Sequence, residues 1–183
     1  MQLRKSRQLR SWCKAVAFFT ILALTLIPFQ NALAIGFLSA DWNARPDLDE
    51  ADEIFASFVQ GAASNTQTSI TFTFAGGTTD FVSGTRVFEL IGLSVEDTET
   101  INGTWTSLST INILSGSLNI EVGVGSFPPV PNMFNEMFTN TSEPTGSETI
   151  DGDSITSGQS VFVTFTYSGL QVSGTSFTLT LNN

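Results

Sequence analysis

The stretch VFVTFTY, residues 161–167, decides the fold class, because large apolar side chains occupy every second position in it. Successive residues of an extended chain point to opposite sides, so one side of this stretch is apolar throughout. The same period of two recurs in ITFTF (70–74), LNIEVGV (118–124) and FTLTL (177–181). Four such stretches predict antiparallel strands that bury one face and expose the other.

Turn signals separate these stretches at short intervals. Examples are Gly76-Gly77, Asn102-Gly103 and Ser115-Gly116. Glycine in such pairs favours tight turns, and short alternating strands with frequent turns are typical of a sandwich or barrel. We therefore predict a mainly β fold, an antiparallel β-sandwich of the jelly-roll or immunoglobulin-like type.

The alternation stops near residue 126, where Pro128, Pro129 and Pro131 follow. Proline cannot donate a backbone hydrogen bond, so this segment is excluded from the centre of a sheet. We predict a long loop from about residue 126 to 150.

Four soft or aromatic side chains lie in that predicted loop at spacings of four, which permits a short helical turn. Their side chains either pack within the loop or form an exposed patch that contacts a partner, since such residues suit adaptable interfaces. The candidate contact residues are Met133, Phe134, Met137 and Phe138.

One helix is predicted at about residues 47–60. Apolar residues at Leu48, Ala51 and Phe55 follow steps of three and four, which is the period of a helical face. Asp47 and Glu50 have the spacing of a capping box.

The first 34 residues have the pattern of a secretory signal peptide. A basic segment (1–14) precedes an apolar run (15–29), and Ala32-Leu33-Ala34 fits the small-x-small cleavage motif. We expect cleavage after Ala34, a single domain at 35–183, and a secreted or periplasmic protein that contacts membrane only through an uncleaved signal peptide.

The charge is strongly asymmetric along the chain. The chain has 17 acidic and seven basic residues, and five of the basic residues lie in the first 14 positions. After residue 34 only Arg45 and Arg86 are basic, so two bases against 17 acids give a net charge of −15. Two isolated arginines cannot neutralise a phosphate backbone, so nucleic acid is excluded as a partner. Without His, a Ser-His-Asp triad is excluded, as are zinc sites built on His.

Calcium is the metal that suits such a chain, because it takes six to eight oxygen ligands. The acids also have structural explanations, at a helix N-terminus or in turns. The candidate ligands fall into three groups: Asp47, Asp49 and Asp52; Glu96, Asp97 and Glu99; Asp151 and Asp153.

Trp105 is the candidate platform for a glycan, because an indole offers a sugar an apolar face and a polar edge. The alternative is a core tryptophan on a strand.

Three functional hypotheses follow. The first is an exported, acidic, non-catalytic interaction or matrix module that contacts a protein or polysaccharide of the extracellular matrix or cell surface. The second is a calcium- or carbohydrate-binding module. The third is a glycan hydrolase that uses two carboxylates. We expect no enzyme and no cofactor other than calcium.

Overall fold

The computed structural model describes residues 36–45, 54–75, 81–128, 130–139, 142–173 and 176–183, and this part of the chain is all β. The predicted signal peptide lies outside it. No helix long and apolar enough to cross a membrane occurs in these ranges. The strands are β1 (Asp41–Ala44), β2 (Phe55–Gln60), β3 (Gln67–Phe74), β4 (Phe81–Ile91), β5 (Thr98–Ser107), β6 (Ile111–Gly125), β7 (Phe134–Thr139), β8 (Ser142–Glu143), β9 (Ser147–Thr156), β10 (Ser160–Val172) and β11 (Ser176–Asn182).

The strands form two sheets. Sheet I has the order β1-β4-β10-β6-β7, with β8 attached to β6, and sheet II has the order β2-β3-β11-β5-β9. Every pairing between neighbours is antiparallel. The predicted antiparallel β-sandwich is confirmed.

Strand β10 contains the VFVTFTY stretch and lies in the middle of sheet I. Its Val163 is opposite Phe88 of β4 on one side and Val122 of β6 on the other. All three side chains are buried, because directly opposed residues of an antiparallel pair point to the same face. The apolar residues at every second position of this stretch therefore form the inner face of a central strand.

Phenylalanine rings hold the two sheets together. Phe72 of sheet II meets Phe88 and Phe165 of sheet I edge-on, with centroid distances of 4.8 and 5.0 Å. Phe55 of β2 reaches Phe165 at 4.8 Å. Edge-to-face contacts at these distances stabilise aromatic pairs beyond their burial, so this cluster fixes how the sheets pack.

The outer face of sheet II is uncharged on its three central strands. Outward positions of β3, β11 and β5 alternate with buried ones, and all of them are Ser, Thr, Asn or Gln. Thr71 and Thr178 share a hydroxyl hydrogen bond of 2.7 Å, and Thr73 and Ser176 one of 3.2 Å. These bonds cross-link β3 and β11; we call this surface the hydroxyl face.

The outer face of sheet I is crossed by the proline-rich segment. The carbonyl of Val130 lies so close to Gly123 of β6 that a Cβ there would overlap it. Phe127 packs on Phe162 at 6.1 Å between centroids. Arg45 lies over the Phe127 ring at 5.4 Å and forms an ion pair of 2.6 Å with Glu89, which anchors the segment.

The predicted helix at 47–60 is wrong over its second part, since Phe55–Gln60 form strand β2. Phe58 of this strand is opposite Phe72 of β3, and its ring contacts Phe88 at 4.9 Å. Pairing with β3 therefore outweighs the helical spacing, since tertiary contacts routinely override a weak local preference. Residues 47–53 lie outside the described part.

The predicted long loop at 126–150 is also wrong, because β7, β8 and the start of β9 lie within it. The proline-rich part ends before residue 132. A spacing of four fits a strand as well as a helix, since it is a multiple of the strand period of two. Phe134 and Phe138 consequently share the inner face of β7, opposite Val122 and Leu118.

Candidate functional site

A cleft opens at one side of the sandwich, between β7 at the end of sheet I and β9 at the end of sheet II. Its volume is about 170 Å³. Pockets for drug-sized ligands measure roughly 300–1,000 Å³, so this one suits a single compact chemical unit. Polar and aromatic groups line it, among them Trp105, Ser107, Glu136, Thr145, Ser147 and Glu148.

The two carboxylates in this cleft come from different sheets. Glu136 lies on β7 opposite the buried Ile120, and Glu148 lies on β9 opposite Trp105. Both therefore occupy core-facing positions at a sheet edge. Glu148 is exposed, whereas Glu136 is half-buried and its Oε2 atom is shielded from solvent.

Trp105 lies at the base of the cleft and is only 2% exposed. Its indole stacks on Phe177 with centroids 3.7 Å apart, and on Phe134 at 5.7 Å. The predicted role as a glycan platform required an indole face open to solvent. This geometry corrects that prediction: burial and ring contacts place Trp105 in the core, although it still helps to line the cleft.

Hydrogen bonds connect the strands on this side of the sandwich. Outside the cleft lining, Asn132, just before β7, donates to the carboxylate of Asp153 on β9 and accepts from the N–H of Val124 at 2.9 Å. Within the lining, the N–H of Ser107 donates to the carbonyl of Gly146 at 2.8 Å. The bond between Asn132 and Asp153 connects the segment before β7 of sheet I directly to β9 of sheet II.

The calcium candidates do not gather into a site in the described residues. Asp47, Asp49 and Asp52 lie outside that part of the chain. Within the described ranges no three or more His, Cys, Asp or Glu side chains lie close enough together to hold a metal ion. The remaining candidates therefore form no such group: Glu96, Asp97, Glu99, Asp151 and Asp153. The Asp153 carboxylate instead accepts from the Asn132 amide and the Ser154 N–H. Calcium binding stays a prediction, and calorimetric titration of metal-free protein with Ca²⁺ would test it.

The predicted contact patch is not formed as expected. Met133 and Phe138 are buried, and Phe134 is half-buried against Trp105. Among these four residues only Met137 is exposed, at 66%. The strand geometry explains three of the four positions, because β7 sends Phe134 and Phe138 inward and Met137 outward. Met133 lies just before β7.

Sequence reasoning missed the two glutamates of the cleft. Glu136 lies between Phe134 and Phe138 at the strand period of two, and Glu148 has the same relation to Ile150. An acid in the apolar register of a strand is the signal that could have found them. An apolar core-facing position should not hold a charge unless it lies at an edge or serves a ligand.

Neither cation after residue 34 lines the cleft. Arg45 is paired with Glu89 on the outer face of sheet I. Arg86 lies on β4 opposite Phe165; burial lowers the pKa of its guanidinium, and interaction with Tyr167 partly offsets that shift. Among the described residues that line the cleft, the charged ones are therefore Glu136 and Glu148.

No protein-family model and no curated protein matches this chain. Among solved structures it is similar to CBM35 from Paenibacillus barcinonensis, at 15% identity and a TM-score of 0.32 over 79% of this chain and 94% of the other. It is also similar to the N-terminal cellulose-binding domain of Cellulomonas fimi β-1,4-glucanase C, at 14% identity and a TM-score of 0.32 over 81% of this chain and 96% of the other. A cleaved adhesin domain of Lys-gingipain from Porphyromonas gingivalis matches at 12% identity and a TM-score of 0.36 over 80% of this chain and 92% of the other. At these TM-scores the overlap is loose, and the ligands of those proteins are not transferred.

Proposed function

We propose that this chain is an exported, non-catalytic binding module, and that it takes a saccharide unit of a cell-surface or matrix polysaccharide into the cleft between β7 and β9. The observation that carries the proposal is the convergence of Glu136 and Glu148 with hydroxyl side chains around one compact cavity. A few convergent polar groups in a concave site are the usual signature of a small-ligand site.

The chemistry of the lining suits a ligand that is rich in hydrogen-bond donors. Each ionised carboxylate is a pure acceptor with two oxygens, and Ser107, Thr145 and Ser147 add hydroxyls that donate or accept. A sugar ring carries several hydroxyl donors on a compact frame. Hydrogen bonds to charged groups contribute about 1.5–3 kcal/mol each, so two of them can hold one sugar unit.

Binding is tested with immobilised glycans and with soluble oligosaccharides in calorimetry. Glu148→Gln should lower the affinity for a bound saccharide about tenfold, because it weakens one charge-assisted hydrogen bond. The matched control is Glu96→Gln, since Glu96 is exposed and outside the cleft lining. Equal losses in both variants, or no glycan bound at all, would contradict the proposal.

Export belongs to the same proposal and has its own test. The basic and apolar segments before Ala34 support it. N-terminal sequencing of material from the periplasm or medium should begin at Ile35. A start at Met1 in a membrane fraction would contradict cleavage.

A second candidate function is glycan hydrolysis, which one observation favours: Glu136 and Glu148 line the same cleft from opposite sheets, one with a buried carboxylate oxygen. Glycosidases use two carboxylates about 5–9.5 Å apart, with one kept protonated. Release of reducing ends from a bound oligosaccharide, abolished by Glu136→Gln, would support this function. Binding without turnover would support the non-catalytic module.

A further inference from the structure

The cleft combines two acids with no basic residue among the described side chains that line it. We infer that the saccharide unit it takes is an amino sugar with a free ammonium group. This inference rests on the proposed function and narrows its ligand.

A neutral sugar that fills the cleft displaces water from Glu136 and Glu148 and brings no positive charge to either carboxylate. Two like charges in a partly dry site repel each other, and desolvating a carboxylate is costly unless an opposite charge accompanies the step. An ammonium group supplies a positive charge between the two sheets. Its attraction to the two carboxylates therefore adds binding free energy that a hydroxyl group does not provide.

The hydrogen-bonding groups of the cleft also match those of an ammonium group. An ammonium group has three N–H donors and no acceptor. One carboxylate from each sheet can take two of them, and a hydroxyl such as that of Ser147 or Thr145 can accept the third. The remaining hydroxyls then meet the ring hydroxyls of the same sugar. A bare lysine side chain would leave those hydroxyl groups without a ligand partner.

Calcium fits the described lining of this cleft less well than an ammonium group does. Calcium takes six to eight oxygen ligands, several of them carboxylates. The described residues bring no third His, Cys, Asp or Glu to this place. A monovalent organic cation matches two carboxylates better than a divalent ion does. The surplus of acids over bases in the whole chain also raises the local concentration of cationic ligands.

The test compares two oligosaccharides of equal length that differ only at nitrogen. Fully deacetylated chitosan oligosaccharide carries ammonium groups, and the N-acetylated chitin oligosaccharide is neutral. Calorimetry at pH 6 and low salt should show at least about tenfold tighter binding of the charged form, and the difference should shrink at about 0.5 M salt, because screening weakens exposed charge pairs.

Variants locate the effect. Glu148→Gln should remove most of the preference for the charged sugar, and Glu136→Gln should do the same if it folds, as checked by its circular-dichroism melt. Because Glu148 is exposed, its variant tests the inference even if the other variant is unstable. Glu96→Gln should keep the preference.

The outcomes separate the inference from the proposed function. Equal affinity for the two oligosaccharides overturns the amino sugar and leaves the saccharide module standing. Absence of binding to any glycan overturns both. Trilysine that competes as well as the chitosan oligosaccharide overturns the assignment to a sugar and indicates a basic protein partner instead.

Discussion

Trp105 of β5 lies on Phe177 of β11 with ring centroids 3.7 Å apart. This stack joins two neighbouring strands of sheet II, and the same indole forms the base of the cleft. A change in how Trp105 packs therefore alters the lining of the cleft as well as the core.

Trp105→Ala should lower the free energy of unfolding by about 3–5 kcal/mol, because a large buried aromatic is removed and its neighbours collapse only partly. Trp105→Phe should cost less, since a ring still stacks on Phe177. Chemical denaturation followed by circular dichroism measures both. An alanine variant as stable as the parent would show that the indole is not packed as described.

Thr178→Val should lower the free energy of unfolding by about 1 kcal/mol, because it removes one partner of the 2.7 Å hydroxyl bond with Thr71 while keeping the side-chain volume. The matched control is Thr166→Val, on the exposed outer face of sheet I, which should change stability much less. Equal effects at the two positions would count against a structural role of the hydroxyl face.

Gly123→Ala should destabilise the fold by about 1–3 kcal/mol, the usual cost of forcing an added methyl into occupied space. The Val130 carbonyl stands where the Cβ would go, so the proline-rich segment must lift away from sheet I. At Gly146 an added Cβ meets nothing within 4 Å, and Gly146→Ala should be nearly neutral. Thermal melts of the two variants that coincide would contradict this prediction.

Asn132→Ala should weaken the connection between the segment before β7 and strand β9 of the other sheet. It removes the hydrogen bonds to Asp153 and to the backbone of Val124, and we expect a loss of about 0.5–1.5 kcal/mol for each net bond. Hydrogen exchange should speed up at residues of β9 near Asp153. Asn135→Ala is the control, since Asn135 makes a long hydrogen bond of 3.4 Å with Glu121. If hydrogen exchange at β9 were unchanged in both variants, the proposed role of Asn132 in connecting the sheets would be contradicted.

The strands could be predicted wherever an alternating pattern coincides with burial. VFVTFTY became the inner face of β10, and FTLTL became β11, because a sheet with one buried face imposes a period of two. At residues 55–60 the helical spacing was misleading, because pairing with β3 decided the local structure.

The cleft could not be predicted, because it depends on which strands end the two sheets. Glu136 and Glu148 are 12 positions apart in the sequence, but they line the same cleft only because β7 pairs with β6 while β9 pairs with β5. That choice is made by long-range contacts. Sequence patterns indicate which side of a strand is buried, and they do not indicate which strand is its neighbour.

The hydroxyl face is an uncharged surface on an acidic molecule. Proteins of like charge repel one another within about 8–10 Å in physiological salt, and the 17 acids of this chain oppose its 7 bases. The outward positions of the central strands of sheet II add no charge to that repulsion. Two copies that met through this face would bring no charge of its outward positions together, and the cleft between β7 and β9 would stay accessible at the side of the sandwich.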